Sequence, residues 1–241
     1  MDSFIKTKKL HVLLLSKISG IFPQSHNLKE RLIAQFQFTN VYYFPNFRIN
    51  SFVPSFKQRD DFRIVFMARI MRQKGIETIF QLADNISHQS KNKNRMSIDF
   101  YGPIFDEDKE YFMAQVEKYE MVTYQGILLP DDIYKTLNEY DLMVLPTRFF
   151  TEGFPGTILD AYISGIPVVA TRWENATEFI DDGITGYIVP FENGENEFVD
   201  AVIKLYENRD ILLTMKQNAY QKSKLFTSDS AWEILKKHLE N

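Results

Sequence analysis

Two carboxylates, Glu152 and Asp160, bracket a turn of distinctive composition, Thr151-Glu152-Gly153-Phe154-Pro155-Gly156-Thr157-Ile158-Leu159-Asp160. Gly153 and Gly156 permit close backbone approach to a ligand. The helix expected to follow would offer unbonded N–H groups, with the positive end of its dipole behind them, to an anion. Carboxylates accept hydrogen bonds from sugar hydroxyls, and one ligand can reach both Glu152 ahead of the helix and Asp160 near its start. An isolated glycine pair is more often an ordinary tight turn with a helix cap. Two features weigh against that reading: the bracketing carboxylates, and the cations Arg69 and Lys74 in Met67-Ala68-Arg69-Ile70-Met71-Arg72-Gln73-Lys74-Gly75. These cations follow the first predicted strand at its carboxyl end, the edge where open α/β sheets bind ligands. Six of the ten glycines fall between Gly153 and Gly194, which centres the search there.

The elements that must position these groups are legible from Phe62 onward, where short β-rich runs alternate with segments of helical period. Phe62–Met67 predicts a strand, and after Lys74-Gly75 the residues Ile76, Ile79, Phe80 and Leu82 recur at helical spacing. Met96–Tyr101 predicts a second strand, 106–119 a helix, and 121–124 a third strand closed by Gly126. Pro130-Asp131-Asp132 opens a helix with acidic groups in its first turn, where they complement the dipole. Residues 141–145 form a strand ended by Pro146, 158–164 a helix stopped by Gly165, 167–170 a short buried strand and Gly186–Val189 the last strand. Helices are expected over 198–206, 211–222 and 232–239. Such alternation implies parallel βαβ units, and so an α/β fold with a doubly wound parallel sheet carrying helices on both faces.

Residues 1–55 do not keep this rhythm. Lys6, Lys8 and Lys9 precede the apolar run Leu10-His11-Val12-Leu13-Leu14-Leu15, which Lys17 ends. The run is short of a signal h-region and far short of the ~20 residues that cross a bilayer, so a buried strand or helix stub is expected. A helix over 28–36 and the run Asn40-Val41-Tyr42-Tyr43-Phe44-Pro45-Asn46-Phe47 follow. The expected division is 1–55, 56–225 and a C-terminal helix over 226–241.

Composition excludes several classes. With 44% apolar and 25% charged residues in 241, the chain is that of a soluble globular protein. A net charge of −4 provides no basic field for a phosphate backbone, so nucleic acid is not the expected partner. The lack of cysteine removes disulfides, thiolate zinc sites and cysteine nucleophiles, and fits a reducing, cytoplasmic setting with at most peripheral contact at the inner face of the membrane. His11, His26, His88 and His238 are too scattered to suggest a metal centre and are expected on the surface. No G-x-G-x-x-G follows the first strand and no G-x-x-x-x-G-K-[ST] occurs, which sets aside the common dinucleotide and P-loop sites. Lys91-Asn92-Lys93-Asn94-Arg95 reads as a solvated turn.

Taken in order, Ala68-Arg69 with Lys74-Gly75, Asp141-Leu142-Met143-Val144-Leu145-Pro146-Thr147, Glu152-Gly153-Phe154-Pro155-Gly156 with Asp160-Ala161, Gly165-Ile166-Pro167-Val168-Val169-Ala170, Glu178 and Asp182-Gly183-Ile184-Thr185-Gly186 resemble the donor-binding half of the retaining glycosyltransferases of family 4. The likeness covers about residues 40 to 200. Asp160 stands where that family has the second of two glutamates, and Ala68 where it has glycine. The resemblance implies the GT-B fold of two Rossmann-like domains, of which this chain carries the donor domain. It also implies transfer of a sugar, with retention, from a UDP- or GDP-linked nucleotide sugar to a saccharide or lipid-linked acceptor in cell-surface polysaccharide synthesis. No cofactor is implied, and no metal.

The resemblance further implies individual roles. Arg69 and Lys74 would neutralise the diphosphate as it leaves, with the amides around Gly156, Thr157 and Ile158 on the same phosphates. Glu152 would hold hydroxyls of the transferred sugar and Asp160 the ribose, within the turn that Gly153, Phe154 and Pro155 shape. Gly126-Ile127-Leu128 would read the base through backbone groups, and Glu178 would anchor a helix or loop. Residues 1–55 resemble only the end of an acceptor domain and its linker. The chain is thus expected to be a fragment, a donor subunit that works with a separate acceptor chain or a homo-oligomer, or a truncated homologue that binds without transferring.

Overall fold

Six parallel strands in the order β3-β2-β1-β4-β5-β6 form one sheet in the computed structural model, which describes residues 9–57, 59–88 and 95–239. The strands are β1 (Phe62–Met67), β2 (Met96–Tyr101), β3 (Val122–Gly126), β4 (Leu142–Leu145), β5 (Val168–Thr171) and β6 (Gly186–Val189). Strands buried on both faces read as near-continuous apolar runs. All four residues of β4 and of β5 are buried, as are Phe62, Ile64, Val65 and Phe66 of β1.

Helices α3 (Ile76–His88), α4 (Lys109–Lys118), α5 (Ile133–Leu137), α6 (Gly156–Ile163), α7 (Ala176–Phe179), α8 (Glu195–Glu207) and α9 (Arg209–Ser223) connect and flank the strands. The chain winds outward from β1 through β2 to β3, then returns to the other side of β1 to lay down β4, β5 and β6. Between β1 and β4 the winding reverses, and there the two strand ends leave a crevice at the carboxyl edge. Arg69 and Lys74 follow β1; Glu152 follows β4.

The N-terminal segment differs from expectation. It contains helices α1 (Lys9–Leu15) and α2 (His26–Phe36), and Leu13 and Leu14 are 53% and 54% exposed, so the stub is a helix with an open apolar side rather than a buried one. Leu32, Phe38 and Val41 form a second small core, backed by Val12, Leu15, Ile21, Leu28 and Phe36. The last helix, α10 (Ser228–Leu239), returns to this segment, where His238 packs on Tyr42 and Phe22 with ring centroids 3.9 and 5.4 Å apart. The lysines at 6 and 8 and residues 91–94 of the expected solvated turn lie outside the described residues, as does the side chain of Leu10. Among the described residues, no helix is long and apolar enough to cross a membrane.

Candidate functional site

Two loops build the site, and one glycine locks them together. Gly75 has φ +79°, and a Cβ built there would fall 1.7 Å from the carbonyl oxygen of Pro146. Only glycine tolerates both the left-handed backbone and this approach. The loop after β1 therefore lies directly on the loop after β4, an arrangement reinforced where Arg148 N donates to Gln73 O (2.9 Å) and Arg148 Nη1 to Glu77 (2.8 Å).

This contact brings Lys74 Nζ onto Glu152 Oε1 as an ion pair, with the Phe149 ring 5.1 Å from the same ammonium. Glu152 Oε2 is buried and has no hydrogen-bond partner among the described residues. Arg69 is exposed on the same loop, and together with Met71, Lys74, Phe149, Thr151 and Glu152 it lines a cleft of about 340 Å³. A larger depression of about 570 Å³ lies between Asp84, Met96, Lys118 and Met121. It sits at the amino edge of β2 and β3, away from the strand ends that carry these charges.

The turn Gly153–Gly156 divides into parts that face a ligand and parts that hold the fold. Pro155 is the N-cap of α6, and the amides of Gly156 and Thr157 occupy its first turn, ahead of any helical carbonyl. Thr157 Oγ1 donates to Met67 O (2.7 Å), tying the helix start to the end of β1. Two expectations are corrected here. Phe154 is buried, stacked on Phe179 at 4.0 Å and edge-on to Phe226 at 4.8 Å, so its ring belongs to the core. Ile158 is fully buried and its amide is already donated to Pro155 O (3.0 Å), so it offers nothing to a phosphate.

Asp160 is brought to the turn, where it is buried with Arg48 on its carboxylate. Arg48 takes both its oxygens, Nε to Oδ1 at 2.8 Å and Nη2 to Oδ2 at 3.2 Å. Burial raises the Asp160 carboxyl above the usual carboxylate range, with Arg48 pulling against it. Arg48 lies 112 residues away in sequence, just past the aromatic run that ends at Phe47, and spacing gives no signal for it. Gly126 closes β3 with φ +82° and open space where a Cβ would be; Ile127 is 66% exposed and Leu128 packs on the core. This turn stands at the far edge of the sheet from Glu152, with α5 leading from it back to α6.

Glu178 is an anchor. Its carboxylate accepts from His26 N (2.7 Å) and Asn27 N (2.9 Å), completing the N-terminus of α2 beside the Ser25 Oγ that accepts from Leu28 N (3.1 Å). Next to it, Asn27 Nδ2 donates to Asn175 Oδ1 (3.1 Å) and Asn175 Nδ2 to Glu152 O (2.8 Å), so the N-terminal segment is wired to the candidate site. Tyr43, half-buried here, has its hydroxyl pKa pushed up to about 12 by burial and by Glu178. Hydrogen bonds to a charged group contribute about 1.5–3 kcal/mol, so Glu178→Ala should lower stability in urea titrations by that order. Unchanged stability would mean that α2 is held by other contacts.

A model of the family "Glycosyl transferases group 1" matches residues 61–208. The chain belongs to this family. Among curated proteins, this group 1 chain is 26% identical over 176 residues to D-inositol 3-phosphate glycosyltransferase of Paenarthrobacter aurescens, covering 68% of the chain and 42% of the relative. It is 25% identical over 178 residues to the capsular polysaccharide biosynthesis glycosyltransferase CapM of Staphylococcus aureus, covering 73% and 45%. Among solved structures, a variant of S. aureus TarM in complex with Fondaparinux, alpha-GlcNAc-glycerol and UDP superposes with TM-score 0.82 at 20% identity, over 98% of this chain and 47% of that one. Anabaena HepE in complex with UDP and glucose gives 0.80 at 17%, over 96% and 66%. At these identities the structural likeness establishes the fold, the Rossmann-like domain of GT-B glycosyltransferases. The group 1 chain spans less than half the length of the two curated relatives.

Proposed function

We propose that this chain is the donor-binding half of a retaining glycosyltransferase of family 4, taking a UDP- or GDP-linked sugar for transfer to a saccharide or lipid-linked acceptor in cell-surface polysaccharide synthesis. One observation carries the reading: Lys74 paired with Glu152, whose second oxygen is buried and free, in a cleft that Arg69 shares at the reversal of the sheet. A diphosphate leaving a sugar gains negative charge, and cations fixed beforehand stabilise that change without reorganising. Arg69 and Lys74 supply the charge, with the first-turn amides of Gly156 and Thr157 beside them, and no metal is required for it. Glu152 Oε2 takes a sugar hydroxyl, and the turn at Gly126 and Ile127 takes the base through its backbone.

A second reading, a nucleotide-sugar-binding subunit that needs a separate acceptor half, draws on the exposed apolar side chains of Leu13, Leu14, Ile18 and Ile33. Positioning an acceptor against the donor can supply ~7–11 kcal/mol of barrier reduction, and the 241-residue chain tested by itself spans less than half the length of the two curated relatives. Donor binding without robust transfer is therefore expected of it.

Calorimetry with uridine and guanosine diphosphates and their sugars tests the site. Lys74→Ala and Arg69→Ala should each weaken a diphosphate about tenfold or more, since charge-assisted bonds contribute about 1.5–3 kcal/mol. Glu152→Gln should spare the free diphosphate and weaken only the nucleotide sugar. Equal affinity in the wild type and both cation variants would refute the assignment, and so would equal losses on both ligands for Glu152→Gln.

A further inference from the structure

Glu152 owes its place to its backbone. Among the described residues its side chain is bonded at Oε1 by Lys74 and Oε2 has no partner, so the stance of the free oxygen follows the peptides that carry it. Those peptides run into Gly153, a residue type whose backbone freedom would not fix them. Two side-chain amides do. Asn175 Nδ2 donates to Glu152 O (2.8 Å) and Asn46 Nδ2 to Phe154 O (2.5 Å), one carbonyl on each side of the glycine.

Neither amide acts alone. Asn175 Oδ1 accepts from Asn27 Nδ2 (3.1 Å) and Asn46 Oδ1 from Gln24 Nε2 (2.7 Å), so both relays begin on residues 24–27 at the start of α2. Gln24 Oε1 also lies 3.0 Å from where a Cβ on Gly153 would stand, which sets this run directly over the turn. Hydrogen bonds in line polarise one another, and an amide that both accepts and donates is fixed in orientation as well as position. The run is itself held: Glu178 accepts from the amides of His26 and Asn27, Arg31 Nη1 meets Glu174 Oε1 at 2.5 Å, and Phe44 N donates to Pro23 O (2.9 Å). Asn175 is buried, so its links are shielded from water.

The cations are anchored elsewhere. Arg69 and Lys74 sit on the loop after β1, where Lys74 N donates to Met71 O (2.9 Å) and Gly75 N to Arg72 O (2.8 Å), and Thr157 ties the start of α6 to the end of β1. The four relay bonds touch none of these residues.

We propose that Asn175 and Asn46 are positioning residues for Glu152, and that through them residues 24–27 control recognition of the donor's sugar separately from its diphosphate. This rests on the reading of Glu152 as the acceptor of a sugar hydroxyl. A shift of the run loosens the turn at Gly153 and displaces Oε2, while Arg69, Lys74 and the first-turn amides of α6 keep their places on the phosphates.

The test is calorimetry with uridine and guanosine diphosphates and with UDP-glucose, UDP-N-acetylglucosamine and GDP-mannose. The readout is the ratio of affinities, nucleotide sugar over free diphosphate, for the conjugate that the wild type binds best. Gln24→Ala combined with Asn27→Ala removes the outer link of both relays from exposed and half-buried positions, and circular dichroism checks folding. This double variant should lower the ratio about threefold to tenfold, the worth of a neutral hydrogen bond or two, and leave the free diphosphate within about twofold of the wild type. Asn175→Ala should do the same. Added to Glu152→Gln it should change the ratio little further, since both act on one carboxylate.

Equal losses on both ligands, or a ratio that the double variant leaves unchanged or raises, would overturn the proposal, because the relays would then serve stability alone. Additive effects of Asn175→Ala and Glu152→Gln would overturn it too, by showing that Asn175 acts by another route. Should Asn175→Ala fail to fold, the double variant decides. A wild type that binds no diphosphate, or gains nothing from any of the sugars, would refute the reading of the site itself.

Discussion

Lys216→Met is expected to lower the stability of the folded chain by about 3–5 kcal/mol, the cost of leaving one partner of a buried ion pair alone. Lys216 on α9 is 8% exposed and its Nζ lies 2.7 Å from Asp141 Oδ1, at the foot of β4. Asp141 Oδ2 accepts from Arg63 N (3.0 Å), so the carboxylate also ties β4 to β1 at the amino edge. With methionine in place the stem still packs, but the carboxylate loses its counter-charge. Adding Asp141→Asn should recover most of the loss, because the neutral amide still accepts from Arg63 N and no charge remains to compensate.

The pH dependence carries a definite sign. Burial lowers the Lys216 pKa from its ordinary 10.5, against the pull of Asp141. The unfolded chain therefore binds more protons between that lowered value and 10.5, and the contribution of this group to stability rises with pH across that window. Urea titrations of the wild type, Lys216→Met and the double variant would measure each of these. A single variant as stable as the wild type would show that the pair contributes nothing.

Gly75→Val should be the most damaging single change near the site itself. A β-branched residue at φ +79° bears about 1–3 kcal/mol of backbone strain, and pressing its Cβ against the Pro146 carbonyl adds about 1–3 kcal/mol more. Relief requires the loops after β1 and β4 to separate, and that breaks the Lys74 to Glu152 pair. The variant should therefore lose diphosphate binding as well as stability. Thermal melts with and without uridine diphosphate would separate the two: a folded variant still stabilised by the ligand as strongly as the wild type would show that the loops need not touch.

The sheet was legible because each strand is a short apolar run bounded by a breaker, such as Pro146 after β4 or Gly126 at the end of β3, and because the helices between them keep their period. The loop residues were legible where a backbone constraint leaves a chemical mark: Gly75 beside Lys74, and Gly156 opening α6. Pairings across long separations leave no such mark. Arg48 meets Asp160 over 112 residues, and nothing in the local pattern distinguishes a ribose ligand from the partner of a linker arginine. Phe154 and Ile158 illustrate the opposite limit. They sit inside a turn whose composition draws attention, yet their own apolar side chains are taken by the core. The N-terminal stub was misread for a related reason: its apolar run suits a buried element, but burial depends on what packs against it.

The capping of α2 by Glu178 also has a cost in time. The two oxygens that complete the start of this helix belong to a residue 152 and 151 positions later in the chain. At a synthesis rate of about 5–20 residues per second, α2 leaves the ribosome about 8–30 s before its anchor exists. Through that interval the amides of His26 and Asn27 lack the carboxylate that accepts from them. The start of α2 is therefore completed only after β5 has been made.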